Sequence, residues 1–318
     1  MCPGAGPDLA STKDSKLNVP AIQVDQLHKT FNSVVAVDHL SFEVNRGEIF
    51  GLLGPNGAGK TTTIRILMDI IKADTGTARV LGNPPGVARE RIGYLPEERG
   101  LYRGLRVDET LVYLGQLKGM SGAAAKKRAA ELLARVELAE WSKNKVQELS
   151  RGMQQKVQVI ASIIHDPDLV ILDEPFQGLD PVNVEAVKDL IRNLRAQGKT
   201  IALSAHEMSQ VEALCERILL IDHGKAVLYG ALADIKKQFS PNAIEITPPL
   251  SFDGWPEVAR TETRDSKQLI YLTKGTAPRE FLKKALDRGL PIDQFEVASM
   301  PLEQIFVQVV KGDNHGTE

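Results

Sequence analysis

The sequence has 318 residues, of which 42% are hydrophobic and 25% charged, and its formal net charge is −2. This length suits one large domain or two smaller ones, and the apolar fraction is enough for a real core. The near-neutral charge gives no indication of a nucleic-acid partner, and no apolar run approaches the roughly 20 residues of a membrane-spanning helix. If the protein works at a membrane, a partner chain must supply the membrane-spanning part.

The N-terminal segment, residues 1–20, reads MCPGAGPDLASTKDSKLNVP. It lacks the apolar stretch of a secretory signal peptide. Its proline, glycine, serine and charged residues offer little to bury, which predicts a disordered tail. The chain has two cysteines, Cys2 and Cys215. So few cysteines, without metal-binding spacing, fit a reducing compartment.

A strand and a helix are predicted after the first 47 residues. Residues 48–53 (EIFGLL) form a short apolar run that suits a buried strand. Ile64, Leu67, Met68 and Ile71 fall at positions i, i+3, i+4 and i+7, on one face of a helix. A glycine-rich connection joins the two predicted elements.

That connection, residues 54–61, reads GPNGAGKT and fits the pattern G-x-x-x-x-G-K-[ST] in the strand–loop–helix context that a phosphate loop requires. The glycines let several backbone N–H groups converge, and the helix N-terminus adds positive potential. Lys60 would supply a charge for the β- and γ-phosphates, and Thr61 a hydroxyl for Mg²⁺. The predicted nucleotide-binding residues here are Gly54, Pro55, Asn56, Gly57, Ala58, Gly59, Lys60, Thr61 and Thr62.

The next long stretch is predicted to be helical. Three segments between residues 107 and 165 carry helical patterns, VDETLVYLGQLKGM, AAAKKRAAELLARVEL and SRGMQQKVQVIASIIH. Ser150 stands at the N-cap of the last one, and Met153, Val157, Ile160 and Ile164 fall on one face of it. We expect a helical subdomain, at about residues 100–165, inserted between two phosphate-site motifs.

A second group of functional residues follows two further predicted strands. Residues 169–172 are a continuous apolar run that ends in Asp173 and Glu174. At the carboxyl end of a strand in an open α/β sheet, Asp173 would face Mg²⁺ and Glu174 would orient or deprotonate a water. Residues 201–203 form another short apolar strand before His206, whose ring would contact the γ-phosphate or the attacking water.

With these motifs, the chain resembles the ATP-binding subunit of an ABC transporter over about residues 21–238. GPNGAGKT looks like Walker A, LVILDE like Walker B, LSRGMQQK like the LSGGQ signature, GLDP like the D-loop, and Ser204-Ala205-His206 like the switch-histidine loop. The resemblance implies an α/β P-loop NTPase fold with an inserted helical subdomain. It also implies ATP and Mg²⁺ as cofactors.

The resemblance assigns roles to individual residues. Phe31 would stack on the adenine ring. The residues with catalytic roles would be Glu174, His206 and Asp180, and the metal site would include Thr61, Asp173 and Glu97. The signature residues that would contact the ATP of a second subunit are Ser150, Arg151, Gly152 and Met153.

Two departures from the family pattern bear on these roles. In the signature, Arg151 replaces a glycine and Met153 a glutamine. In the loop IGYLPEERGLY, Glu97 stands where family members usually have glutamine, and a carboxylate there can still ligate Mg²⁺ but adds negative charge near the phosphates. The same variations, with PEERGLY, are similar to a prokaryotic export subclass that includes sodium-export and drug-export ATPases.

The last part of the chain, residues 240–312, is predicted to form a small α/β accessory domain. NAIEITPP and KQLIYLTK are typical of strands, and PREFLKKALDRG and PLEQIFVQVVKG of helices. This resembles the small domain appended to such export ATPases. We find no catalytic constellation in it and expect a packing or dimerisation module.

The leading hypothesis is a homodimeric ATPase with ATP sandwiched between its subunits, peripheral on the inner, cytoplasmic face of the cell membrane and bound to a transmembrane export permease. One alternative is a soluble ABC ATPase without a permease, although the chain has a single Walker A and no sustained heptads. Another is a non-hydrolysing regulatory subunit, which Arg151 and Glu97 favour and Glu174 opposes. A P-loop kinase has no use for the signature. The transported substrate contacts the permease, so this sequence carries no signal for it.

Overall fold

The computed structural model describes residues 19–98, 100–264 and 266–313. The chain divides into two compact units at the bond between Ala231 and Leu232. The predicted tail, residues 1–20, lies outside the described residues except for its last two. We expected the first domain to reach residue 238; in the structure the helix Leu232–Phe239 groups with the second unit.

The first unit is a mixed α/β structure. Its strands are β1 (Ile22–Phe31), β2 (Val34–Val44), β3 (Ile49–Leu53), β4 (Thr75–Val80), β5 (Ile92–Leu95), β6 (Leu169–Leu172), β7 (Thr200–Ala205), β8 (Arg217–Asp222) and β9 (Lys225–Ala231). Its α-helices are α1 (Lys60–Leu67), α2 (Val107–Leu117), α3 (Gly122–Arg135), α4 (Arg151–Ile163), α5 (Pro181–Ala196) and α6 (Met208–Glu212). Short 3₁₀ turns cover Arg89–Arg91, Ala139–Lys143 and Val146–Glu148.

A six-stranded sheet positions the predicted site, with strand order β5-β6-β7-β3-β8-β9. All neighbouring pairs are parallel except β8 with β9. Every residue of β3 and β6 is buried, as their continuous apolar runs predict. Because the carboxyl ends of parallel strands meet at one edge, the segments after β3, β6 and β7 come together there.

A three-stranded antiparallel sheet, in the order β2-β1-β4, lies beside the first sheet. One apolar core joins the two sheets, and in it the rings of Phe42 and Phe50 stack with centroids 5.8 Å apart. Fully burying a side chain such as Leu40 or Phe50 contributes about 1.5–3 kcal/mol. This core holds β2 against the strand that leads into the phosphate loop.

The three helices predicted between residues 107 and 165 are present as α2, α3 and α4, and α2 packs against both of the others. Helix α1 is shorter than its apolar pattern predicts, because it ends at Leu67 and not at Ile71. Asp69 has a φ of 59°, in the left-handed region, which stops the helix. The N–H groups of Ile70 and Ile71 both turn back to the carbonyl of Arg65.

The second unit contains α7 (Leu232–Phe239), β10 (Ala243–Thr247), β11 (Val258–Arg264), β12 (Lys267–Leu272), α8 (Pro278–Asp287), β13 (Gln294–Val297) and α9 (Leu302–Asp313). Its four strands form one antiparallel sheet in the order β11-β12-β10-β13. The apolar core beneath that sheet includes Ile244, Ile246, Ile270 and Phe281. Among the described helices of the chain, none is both long enough and apolar enough to cross a membrane.

Candidate functional site

The loop between β3 and α1 needs glycine at two positions. Gly54 has a φ of 148°, and a Cβ there would lie 2.1 Å from the carbonyl oxygen of Ile221. Gly59 has a φ of 109°, and a Cβ there would lie 2.3 Å from the carbonyl oxygen of Ala36. Gly59 also caps α1 without a capping side chain, so the first N–H groups of the helix stay available for an anion.

Lys60 is buried at the start of α1, with only 5% of its surface exposed. Its Nζ donates to the carbonyl oxygens of Gly54, at 2.8 Å, and Pro55, at 3.2 Å. The same Nζ lies 3.4 Å from Glu174 Oε1. The loop therefore holds a desolvated positive charge, which attracts an anion more strongly than an exposed one.

Asp173 follows β6 directly and is 1% exposed. Its Oδ1 accepts hydrogen bonds from Ser204 Oγ at 2.6 Å and from Thr61 Oγ1 at 3.4 Å, whereas its Oδ2 is buried and has no hydrogen-bond partner in the described parts of the chain. Burial raises the pKa of Asp173, and the two hydroxyl hydrogen bonds oppose this. A buried carboxylate oxygen without a partner, beside a threonine hydroxyl, is a suitable ligand for a hard divalent cation.

Glu174 is held on three sides. Its backbone has a φ of 51°, a strained conformation for a residue other than glycine, and its N–H donates to Ser204 Oγ at 2.9 Å. Its Oε2 lies 2.8 Å from His206 Nδ1, and its Oε1 faces Lys60. These contacts fix the carboxylate between the loop lysine and the imidazole.

A cleft of about 190 Å³ brings together the residues predicted in the phosphate loop, except Gly54 and Pro55. It is lined by Ala36, Asn56, Gly57, Ala58, Gly59, Lys60, Thr61, Thr62, Glu97 and Glu174. Glu97 is exposed on the segment after β5. Ala36, on β2, was not among the predicted site residues, and Ser204, which ties Asp173 to Glu174, was predicted only as part of the switch-histidine loop, without a role of its own. Both residues reach the site through contacts with residues distant in sequence. The position of Ser204 near the end of β7, the strand beside β6, could have indicated its place in the site.

Other predicted site residues do not line that cleft in the part of the chain that the structure describes. Phe31 ends β1, is 45% exposed, and has Lys29 Nζ 5.3 Å from its ring centroid. Ser150 caps α4 and accepts a hydrogen bond from the Met153 N–H at 3.3 Å. Asp180 caps α5 and accepts from the Asn183 N–H at 3.0 Å. The predicted signature and D-loop residues therefore lie at two other helix N-termini.

Two family descriptions match the chain. The one described as ABC transporter matches residues 37–177, and the one described as ATP-binding protein DrrA1-3-like, C-terminal domain, matches residues 230–310. The chain is 38% identical over 318 residues to the daunorubicin/doxorubicin resistance ATP-binding protein DrrA of Streptomyces peucetius, which covers 94% of this chain and 95% of that protein. The chain belongs to the ABC transporter ATP-binding proteins.

Two further comparisons agree with this. The Nod factor export ATP-binding protein I of Paraburkholderia xenovorans is 36% identical over 280 residues, 84% of this chain and 91% of that protein. A solved structure of the ATP-binding subunit of an ABC transporter has a TM-score of 0.64 at 30% identity, and the likeness covers 69% of this chain and 93% of that one. The predicted family and the P-loop NTPase fold are confirmed, and the chain is an ATP-binding subunit with ATPase activity.

In this ABC ATPase, the N-terminus of α4 is tied to the segment that follows Asp173 and Glu174. Gln155 Nε2 donates to the carbonyl oxygen of Pro175 at 3.1 Å, and both groups are buried. A Cβ on Gly152 would lie 2.7 Å from Asn183 Nδ2, the group that also bonds Asp180. The signature and D-loop segments are thus packed together, apart from the cleft that contains Lys60.

Proposed function

We propose that this ATPase powers an export permease and is peripheral on the inner, cytoplasmic face of the cell membrane. The observation that carries the hydrolytic part of this proposal is the position of the Glu174 carboxylate, 3.4 Å from Lys60 Nζ and 2.8 Å from His206 Nδ1. A carboxylate between a phosphate-binding lysine and an imidazole is arranged to activate a water beside the terminal phosphate. The geometry therefore favours hydrolysis over passive nucleotide binding.

Thr61 and Asp173 are the residues that would hold Mg²⁺. Asp173 Oδ2 has no hydrogen-bond partner among the described residues, and its Oδ1 already contacts the Thr61 hydroxyl. Such oxygen donors suit Mg²⁺, which binds one or two protein carboxylates together with phosphate oxygens. When bound, the ion neutralises negative charge on the phosphates. Glu97 lines the same cleft and would add a second carboxylate.

The ion pair between Lys60 and Glu174 gives nucleotide binding a direct effect on the catalytic carboxylate. Phosphate oxygens in the loop would offer Lys60 Nζ an anionic partner in place of Glu174 Oε1. That oxygen would then be free to accept a proton from water, while His206 keeps Oε2 in place. Phe31, exposed at the end of β1, would present its ring face to the adenine.

The residues outside the cleft support a shared site between two copies of the chain. Ser150 and Asp180 each cap a helix whose N-terminus carries positive potential. Neither lines the cleft around Lys60 within one chain. We infer that Ser150, with residues 151–153, approaches the γ-phosphate held by the partner subunit of a homodimer.

An apolar groove of about 360 Å³ in the first unit is a suitable docking site for a permease segment. Its lining includes Tyr94, Leu101, Leu114 and Leu117, and Leu117 is 63% exposed. Burial lowers the pKa of His165, also in the lining, to about 4, so its ring is neutral at physiological pH. Pro96 and Gly100, close to Glu97 in sequence, also line the groove. A docked permease segment would therefore contact the residues on either side of Glu97, and Glu97 itself lines the nucleotide cleft.

Export as the direction of transport is supported by the second unit and by the relatives. Residues 230–310 match a domain described from DrrA1-3-like proteins, and one relative carries export in its name. We infer that the second unit, residues 232–318, is a packing or dimerisation module. Its own apolar core supports folding as a separate module.

Replacing Leu117 by glutamate is expected to abolish co-purification of the chain with its permease. The charge would have to be buried in the groove against the docked segment, which is costly without a partner. The measurement is affinity purification of the full chain from solubilised membranes, followed by mass spectrometry for multi-span proteins. Leu286→Glu, at a similarly exposed leucine on α8, is the matched control and should keep the permease.

Two results would contradict this arrangement. Retention of the permease by a folded Leu117→Glu chain would rule out the groove as the docking surface. Failure of the wild-type chain to co-purify any multi-span protein would rule out the permease and favour a soluble ABC ATPase.

Glu97→Gln is expected to stay folded and active, with a changed dependence of the ATPase rate on Mg²⁺ concentration, because one carboxylate leaves the cleft. Glu97→Ala is expected to reduce stimulation of the ATPase by the permease more than it reduces ATP affinity. Both are measured on the purified complex with Mg²⁺ titrations and a fluorescent ATP analogue. If both variants match the wild type with the permease present, Glu97 is only a surface residue.

A further inference from the structure

Three potential metal ligands meet on the antiparallel sheet, outside the nucleotide cleft. His28 lies on β1, and Asp38 and His39 lie on β2. The register between these strands shifts between Leu27 and Lys29, the interval that contains His28. His39 has a φ of 51°, in the left-handed region. The irregular pairing brings both imidazoles to the same carboxylate.

The three ligand atoms are close enough to share one ion. His39 Nδ1 lies 2.7 Å from Asp38 Oδ1, and His28 Nδ1 lies 3.5 Å from the same oxygen. The two rings have centroids 4.7 Å apart, and all three ligand atoms lie within 4.8 Å of one another. In the part of the chain that the structure describes, this is the one such group of three.

Only one ring nitrogen of His28 makes a hydrogen bond to a residue that the structure describes. Its Nε2 lies 3.2 Å from Thr30 Oγ1, whereas its buried Nδ1 has no such partner there. When Nε2 carries the proton and donates to Thr30, Nδ1 presents a lone pair toward the Asp38 carboxylate. In that tautomer two acceptors face each other, an arrangement that a cation between them would stabilise. The other tautomer instead points Nδ1–H at Asp38 Oδ1, 3.5 Å away.

We propose that His28, Asp38 and His39 bind a divalent transition-metal ion of the Zn²⁺ type, with a fourth position open. Imidazole nitrogens and a carboxylate oxygen are ordinary ligands of Zn²⁺ at about 2.0–2.2 Å, which places ligands of a tetrahedral ion roughly 3.3 Å apart. The pair of His28 and Asp38 already has such a separation, and His39 has to move from Asp38 by only a fraction of an ångström. Thr30 would orient His28 from outside, as hydrogen-bond partners of metal-bound histidines do.

The site is separate from the Mg²⁺ site but connected to the phosphate loop through the backbone. The N–H of Asp38 donates to the carbonyl of Gly224 at 2.9 Å, and the N–H of Gly224 donates to the carbonyl of Ala58, in the phosphate loop, at 2.9 Å. Lys225 Nζ lies 3.6 Å from Asp38 Oδ2 and is the cation that now faces this carboxylate. Its side chain is 70% exposed, so it can move into water when a metal ion binds.

A second Asp–His pair in the same chain provides a matched control. Asp222 and His223 repeat the order of Asp38 and His39, and His223 also has a positive φ, of 46°. His223 Nδ1 lies 2.9 Å from Asp222 Oδ2. No second imidazole joins this pair among the described residues. It should therefore bind the metal ion no better than an ordinary surface pair.

The test uses the full chain, purified without a histidine tag, freed of metal with a chelator and kept free of nucleotide. Co²⁺ is titrated with excess Mg²⁺ present, and its visible absorption is followed. We expect one saturable Co²⁺ per chain, displaced by Zn²⁺. His28→Gln and His39→Asn should each weaken binding at least about tenfold, and asparagine tolerates the left-handed backbone. His223→Asn should bind like the wild type.

Three results would overturn the proposal. The first is that the wild type shows no saturable Co²⁺ binding. The second is that the double variant His28→Gln/His39→Asn still binds Co²⁺. The third is that His223→Asn loses as much Co²⁺ affinity as the His28 and His39 variants. If His28→Gln lowers the unfolding midpoint of the metal-free chain, Thr30→Val replaces it. That variant keeps all three ligands and should weaken Co²⁺ binding by about tenfold through loss of ring orientation; unchanged binding would contradict the assigned geometry.

Discussion

Glu174→Gln is expected to keep ATP binding and to lower the rate of ATP hydrolysis by about 10²–10⁴-fold, the usual contribution of a general base. Glutamine has the same shape and can still accept from His206, but it cannot take a proton from water. The nucleotide affinity should persist because Lys60 and the loop glycines are unchanged. Single-turnover hydrolysis and equilibrium binding of ATP, measured on the same preparation, separate the two effects.

Glu207→Gln is the matched control for this prediction. Glu207 Oε1 lies 3.9 Å from His206 Nε2, and its side chain is 57% exposed. Removing the Glu207 charge changes the electrostatic potential at the His206 ring but leaves Glu174, the proposed base, in place. The rate of ATP hydrolysis should therefore stay within about twofold of the wild-type rate. The Glu174→Gln chain should also accumulate as an ATP-bound dimer in gel filtration. Near-normal turnover of Glu174→Gln would remove Glu174 from the role of base.

The parts of the fold and site that could be predicted from sequence are those determined by neighbouring residues. The strand predicted at residues 169–172 has the same first and last residues as β6, because a buried strand is visible in sequence as a continuous apolar run. The phosphate loop and the cap at Ser150 were also predicted, since glycine spacing and capping residues act within one turn. These local signals gave the order of the site residues along the chain.

Features that depend on distant contacts were not predictable in the same way. Ser204 joins Asp173 to Glu174 only because β7 lies beside β6, a pairing that a single sequence does not encode locally. The strand β11 (VARTETR) is too polar to be recognised, and β13 (QFEV) lacks the continuous apolar run that marked β6. The group of His28, Asp38 and His39 was missed for the same reason, because His28 and His39 meet through an irregular strand pairing.

A mixed dimer should recover one complete catalytic site from two inactive chains. In the shared-site arrangement, each ATP needs Lys60 of one subunit and the Ser150 helix of the other. Homodimers of Lys60→Ala, and homodimers of Ser150→Arg, should therefore be inactive, because every site lacks one half. In a heterodimer one site carries both defects, whereas the other has an intact Lys60 and an intact Ser150. We expect a single-turnover burst of ATP hydrolysis from that intact site.

The control for this prediction must separate a blocked interface from a lost helix cap. Ser150 Oγ caps α4, and losing such a cap costs about 0.5–2 kcal/mol of stability. Ser121→Arg removes an equivalent cap, where Ser121 Oγ accepts from the Ala124 N–H at 3.2 Å, but on α3. That homodimer should stay active. Differential tags show that heterodimers form, and if they give no burst, the shared site is wrong and each subunit must hold its own complete site.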